Sequence, residues 1–228
     1  MKKCTWVAAL VSVFSRRVAR PIDEPRTTKT THDFDDGFGA VPAHRHCNGG
    51  GLVADTAYVA DTAFVGPDAQ IYDRACVFGM ACVYDMARVS GRAHVYDKAC
   101  VSGEAHVYGE ARVYGETRVY GEACVSGEAR VYGEAHVYGE ARVSGEARVY
   151  GEAHVYGEAR VSGEARASRR PIVIAGGEYD VTITDTYVQI GCMCHPLSWW
   201  RENPAPEACP RLEAMRDAIV AIAEEFQK

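Results

Sequence analysis

From Val53 to Val161 every sixth residue is Val or Ile, nineteen times without a gap. Four residues after each stands Ala, from Ala57 to Ala165, with Thr117 as the one exception. Most units read Val, then Tyr or Ser, then Gly or Asp, any residue, Ala, any residue. Six residues advance an α-helix by about 600°, so the valines would wander around its axis. A flat sheet of hairpins needs turn pairs such as Asn-Gly, and none interrupts the run. A coil with short extended sides does fit. Val and the Ala four residues on lie an even number apart, so both are expected to point inward from one extended side. Gly or Asp, two after Val, is expected to make the turn, where a positive φ is needed.

A larger period lies above the six. Residues 131–148 read VYGEAHVYGEARVSGEAR, and residues 149–166 repeat them without change. Eighteen residues make three sides, which close one triangular turn. Turns stack at about 4.8 Å with parallel ladder bonds, so nineteen units give about six turns and a column about 30 Å tall.

These units resemble the left-handed β-helix of the hexapeptide-repeat family, over roughly half the chain. In that family a small residue usually follows the aliphatic one. Here Tyr or Ser holds that place and Gly comes next, a variant similar to the VYGNA-type repeat proteins of prophages and bacterial accessory genes. The left hand of the coil is what the resemblance implies. So are assembly around a threefold axis and, in many relatives, acyl transfer by a His lying between neighbouring subunits. Other relatives hold zinc at subunit interfaces through histidines.

The flanks lack the repeat. Met1 to Arg20 is expected as a short helix, and Pro21 to Gly51 as loop, given its prolines and Gly49-Gly50-Gly51. Ile172–Ile174, Val181–Ile183 and Tyr187–Ile190 alternate like strands, with Gly176-Gly177 as a turn. Pro206–Phe226 is expected to be a helix with Leu212, Met215, Ile219, Ile222 and Phe226 on one face. The expected organisation is a helix and loop region (1–51), the β-helix (52–168) and a C-terminal strand-plus-helix cap (169–228). The cap shields the last coil from edge pairing.

Residues 53–166 carry seventeen acidic and eleven basic residues, which is the whole net charge of −6. A duplex nucleic-acid binder would need a basic stripe, so none is expected as a partner. No apolar run of about 18 residues suggests a membrane span. Nine cysteines at irregular spacing fit a reducing compartment. The first residues mimic a secretory signal, but Ser15-Arg16-Arg17 follows the apolar run and no A-x-A site appears. A cytoplasmic location is the expectation.

Taking every eighteenth residue gives the outward columns. One stacks Phe78, Tyr96, Tyr114, Tyr132 and Tyr150, and a second holds Tyr84, Tyr120, Tyr138 and Tyr156, interrupted by Ser102. The third carries Ser90, Ser126, Ser144 and Ser162, with Tyr108 among them. The tyrosines, with Trp199 and Trp200 in the cap, are the expected partner or oligomer surface. Glutamates from Glu104 to Glu164 form further columns beside Arg112, Arg130, Arg148 and Arg166, where adjacent opposite charges should offset like-charge repulsion.

His94, His106, His136 and His154 are of the right type for the relatives' catalytic base. Each takes the place that Arg or Cys fills in sister units, and a catalytic base needs one special environment. No catalytic residue is therefore assigned, and no cofactor. Two clusters have ligand-rich spacing, His44, His46 and Cys47 in one and Cys192, Cys194 and His195 in the other, but neither forms a standard zinc set. The expected function is a non-catalytic, homo-oligomeric scaffold or binding protein, a trimer first. Phage or mobile-element origin and a host-protein target are implied by the resemblance. The alternative is an acyltransferase acting on a nucleotide-sugar or small acceptor, followed by a metal-dependent hydratase.

Overall fold

The computed structural model describes residues 30–175, 179–203 and 210–228. The expected N-terminal helix and the Gly176-Gly177 turn lie outside those residues. Strand β3 (Leu52–Ala54) opens the repeat, and nineteen two-residue strands follow at six-residue steps, from β4 (Tyr58–Val59) to β22 (Arg166–Ala167). They form three parallel sheets. Face 1 stacks Val53, Ile71, Val89, Val107, Val125, Val143 and Val161. Face 2 stacks Val59, Val77, Val95, Val113, Val131, Val149 and Ala167. Face 3 stacks Val65, Val83, Val101, Val119, Val137 and Val155. Every pairing joins residues eighteen apart, so the chain is a parallel β-solenoid of about six turns.

Within a unit one detail differs from the expectation. Ser90 O accepts the Ala93 N–H at 3.3 Å, and Gly91 between them has φ +67°. The turn therefore separates Val89 from the Ala that follows it. One side reads Ala-x-Val, as in Ala93-His94-Val95. Both are inward residues, but they belong to successive sides. Positive φ recurs at the expected position in every unit from Asp73 to Gly163, though not at Asp55, Asp61 or Pro67.

The interior holds only these small side chains. Val and Ala from Ala63 to Ala167 are at most 1% exposed. Apart from Ile71 and Thr117, the buried inward places of the repeat hold these two types alone, which accounts for the scarcity of Leu and Phe there. Fully burying each Val stabilises the column by roughly 1.5–3 kcal/mol.

Thr117 occupies an Ala place, 0% exposed, and its hydroxyl finds no hydrogen-bond partner among the described residues. An unpaired buried hydroxyl costs about 1–3 kcal/mol. Thr117→Ala removes it and matches the sister units, so the variant should gain about 1 kcal/mol. Urea unfolding measures this; a lower midpoint would contradict it.

At the N-terminal end, residues expected as loop form β1 (Thr30–His32) and β2 (Val41–Arg45), which extend face 1: β2 pairs antiparallel with β3, and β1 antiparallel with β2. Phe34 is buried there and stacks on Tyr72 at 4.9 Å. Pro42 reads as loop, yet it lies within β2; the triple glycine does form the turn and loop that follow. Asn48 and Gly51 bond to Val65 and cover the first strand of face 3.

At the other end four antiparallel strands form a separate sheet: β23 (Ile172–Ile174), β24 (Val181–Ile183), β25 (Tyr187–Ile190) and β26 (Met193–Pro196). Helices α1 (Leu197–Glu202) and α2 (Pro210–Phe226) pack on it. On α2, Ile219 and Ala223 are buried, whereas Ile222 is 40% exposed. A stripe running i, i+4 leaves Ile222 off its edge, so the apolar face is narrower than the sequence pattern predicts.

Among the described residues, the cap's hydrogen bonds to the solenoid reach its last coil and Ser168 just beyond it. Thr182 Oγ1 accepts the Arg160 N–H at 3.0 Å, and Thr186 Oγ1 accepts that of Arg166 at 2.9 Å. The Ser162 hydroxyl donates to Gln189 at 2.8 Å, and Asp185 accepts the Ser168 hydroxyl at 2.6 Å.

Candidate functional site

The strand geometry fixes which side chains leave each face. Along a side Ala and Val point in, while the residue between them and the Tyr or Ser after Val point out. Parallel in-register stacking then repeats each outward type one coil above itself. On face 2 the rings of Phe78, Tyr96, Tyr114, Tyr132 and Tyr150 form one continuous stack, with centroids 4.8–5.4 Å apart. On face 3 Tyr120, Tyr138 and Tyr156 stack at 4.9 and 5.2 Å. Tyr84 stands apart below Ser102 and is 37% exposed. The stacked rings are half-buried against one another and present their edges to solvent. Each pair adds about 0.5–1.5 kcal/mol beyond its buried area. Burial first, and then the next phenol in the stack, push Tyr96, Tyr114 and Tyr120 above the usual phenol range.

Beside the face 2 rings stand Arg112, Arg130, Arg148 and Arg166, in register on successive coils. The sequence pattern predicts that neighbouring glutamate columns pair with them. Among the described residues the repeat's ion pairs instead run up a column. Arg92 meets Glu110 at 3.2 Å and Lys98 meets Glu116 at 2.8 Å, each eighteen residues on. Both pairs are exposed to solvent, which screens them, so neither contributes much to stability.

The histidines are dispersed among the faces. His94 lies on face 2 and His106 on face 1, while His136 and His154 stack on face 3 at 4.7 Å. Tyr120 and Tyr138 meet that pair edge-on. Burial, then His154, then Arg118 lower the His136 pKa. Burial, then Arg88, lower that of His106 against a smaller opposing pull from Glu104.

A histidine depressed in the folded state binds fewer protons there than when unfolded. Its contribution to stability is full above the ordinary pKa of about 6.5 and is lost as pH falls below it. The melting temperature should therefore drop between pH 7.5 and 5.5. A double variant, His106→Gln with His136→Gln, should flatten that slope. An unchanged slope would mean that other groups dominate.

The two ligand-rich clusters do not converge. His44 Nδ1 lies 2.9 Å from an Asp55 carboxylate oxygen, and the His46 ring bonds to Ala63 O at 3.1 Å. The Cys47 thiol faces Asp61 at 3.8 Å. In the cap, Cys194 donates to Ser162 O, Cys192 is exposed, and His195 stacks on Trp199 at 3.9 Å. Among the described residues no three of His, Cys, Asp and Glu gather as a metal ion would require. No helix among them is long and apolar enough to cross a membrane.

Trp200 is expected among the surface aromatics, but it is 0% exposed. Its indole N–H donates to Val188 O at 2.9 Å, which makes it the centre of the cap core. Trp199 is half-buried and is the indole left for contact. Several hollows lie open to solvent. One, lined by Tyr156, Arg170, Pro171 and Val173, lies where the Arg170 guanidinium covers the Tyr156 ring at 4.6 Å.

Residues 141–157 match a family model described as the YdcK beta solenoid repeat. The chain is a β-solenoid repeat protein. The match falls across the region of identical eighteen-residue units, where the repeat is most regular. No curated protein matches this sequence.

Proposed function

We propose that this solenoid is a non-catalytic scaffold whose tyrosine-edged faces bind protein, with further copies of the chain as the first partner and a trimer as the first assembly. The observation that carries the reading is the face 2 stack. Four tyrosines and Phe78 make one flat, rigid aromatic strip, with an arginine column beside it. Tyr and Arg are the residue types enriched where protein surfaces meet. Rings already stacked lose little further freedom on binding, which favours association. A phage or mobile-element origin and a host protein as second partner belong to this proposal and rest on the sequence resemblance.

Light scattering at micromolar concentration tests it. The expected mass is three times 24.9 kDa. Tyr114→Ser with Tyr132→Ser, which copies the serine column of face 1, should shift the species toward monomer. A wild-type mass of 24.9 kDa across the accessible concentrations would sink the self-association reading.

A further inference from the structure

Four cysteines leave the solenoid at the same place in their units: Cys76, Cys82, Cys100 and Cys124. The coil sends them to different neighbours. Cys76 on face 2 has Tyr58 below it and His94 above. Cys124 on face 1 lies between His106 and Arg142. Cys82 and Cys100 differ from both, since they are direct partners in the face 3 ladder. Both are half-buried free thiols, so each is partly open to a reagent.

We propose that Cys82 and Cys100 are a dithiol modification site, at which small-molecule disulfides close a bond between successive coils. In-register parallel strands lie about 4.8 Å apart, inside the Cα range of about 4.4–6.8 Å that a disulfide spans. The side chains leave the sheet in the same direction, so their sulfurs face the same solvent space. Closure draws the two Cβ atoms together from the ladder spacing of about 4.8 Å toward the roughly 3.5–4.5 Å that a disulfide spans, between coils that backbone hydrogen bonds already hold in register. The Cys82 N–H to Ala99 O bond is 2.9 Å, and so is the bond from Cys100 N–H to Thr117 O.

With glutathione disulfide, the thiolate of one cysteine attacks a glutathione sulfur. The glutathione S–S bond breaks, and one glutathione leaves as thiolate. The second cysteine thiolate then attacks the protein sulfur of the mixed disulfide and expels the other glutathione. The protein dithiol loses two electrons, and the disulfide reagent gains them. The two thiol protons end on the two released glutathiones. Burial and the neighbouring Cys82 hold the Cys100 thiol protonated above the ordinary cysteine range, so closure should quicken as pH rises.

The test uses the full chain, treated with glutathione disulfide at pH 8.5, alkylated and digested with trypsin. Cleavage after Arg74, Arg88, Lys98 and Arg112 isolates residues 75–88 and 99–112. The expected product joins these two peptides, is two hydrogens lighter than their sum and parts on reduction. Fragmentation should place the link at Cys82 rather than Cys76. Cys76→Ser should keep the link, while Cys82→Ser and Cys100→Ser should each abolish it. The oxidised wild type should melt a few degrees higher, and reduction should reverse the gain. Alkylation of both Cys82 and Cys100 after oxidation would overturn the proposal. So would a link to Cys100 that runs from Cys76, Cys192 or Cys194 in place of Cys82.

Discussion

Deletion of residues 149–166 is expected to leave a folded protein, shorter by one coil, that still melts cooperatively. The cap meets Arg160, Ser162 and Arg166 in the last coil. Residues 131–148 carry the same sequence, so Arg142, Ser144 and Arg148 take over those contacts after the deletion. The loss is one turn's share of a one-dimensional stack. Deletion of residues 149–154 should also fold. From the sequence, a six-residue loss would turn a face-specific cap onto the wrong sides. In the structure the cap's hydrogen-bond partners among the described residues lie beyond the deleted segment, so cap and last coil turn together by one side. Deletion of residues 149–151 is different. It puts Glu152, Glu158 and Glu164 where Val belongs, and the interior has no partner for a carboxylate. That variant should lose its far end. Circular dichroism melts of the three proteins decide the matter. A cooperative melt of the three-residue deletion at wild-type temperature would refute the inward period of six.

The second large effect concerns the turns. A Cβ on Gly127 would lie 2.8 Å from Gly145 N and 2.9 Å from Gly145 O, and its φ is +67°. Gly157 has the same backbone, φ +63°, but a Cβ there would meet no atom within 4 Å, since its column ends at that coil. Gly157→Ala should therefore cost only the conformational penalty, about 1 kcal/mol. Gly127→Ala adds a backbone clash between coils, for about 3 kcal/mol in all. Asp73, Asp85 and Asp97 show how a side chain is tolerated at this place. Each extends a carboxylate oxygen to the glycine N–H one coil on, at 2.9, 3.2 and 3.3 Å. Gly127→Asp should accordingly cost less than Gly127→Ala, although Asp is the larger. Equal losses at Gly127 and Gly157 in chemical denaturation would show that stacking closeness is not what selects glycine.

The sequence made the column, its three sides and its outward stacks legible because a strict period leaves each residue type only one place to go. The face 2 rings from Phe78 to Tyr150 follow from counting by eighteen. The order within a side did not follow, because Val and the next Ala are evenly spaced whether or not a turn lies between them. The ends were harder. Strand β2 contains a proline, which argues against a strand, and helix α1 has only six residues, under two turns and too few for an apolar stripe to repeat. Burial of Trp200 depends on β25 and α1 meeting, a contact that no local pattern announces. The candidate surface was readable as columns. Counting by eighteen also sets Arg92 next to Glu110, but whether a charge pairs within its column or with a neighbouring one is decided by side-chain reach, which the period does not give.

The identity of residues 131–148 and 149–166 has a consequence at the level of inheritance. A cap that holds one coil, set on coils that are interchangeable, separates the ends of the molecule from its height. A gene that gains or loses one such unit still encodes a closed column. Lineages can therefore vary the reach of this protein in steps of about 4.8 Å while both ends stay as they are.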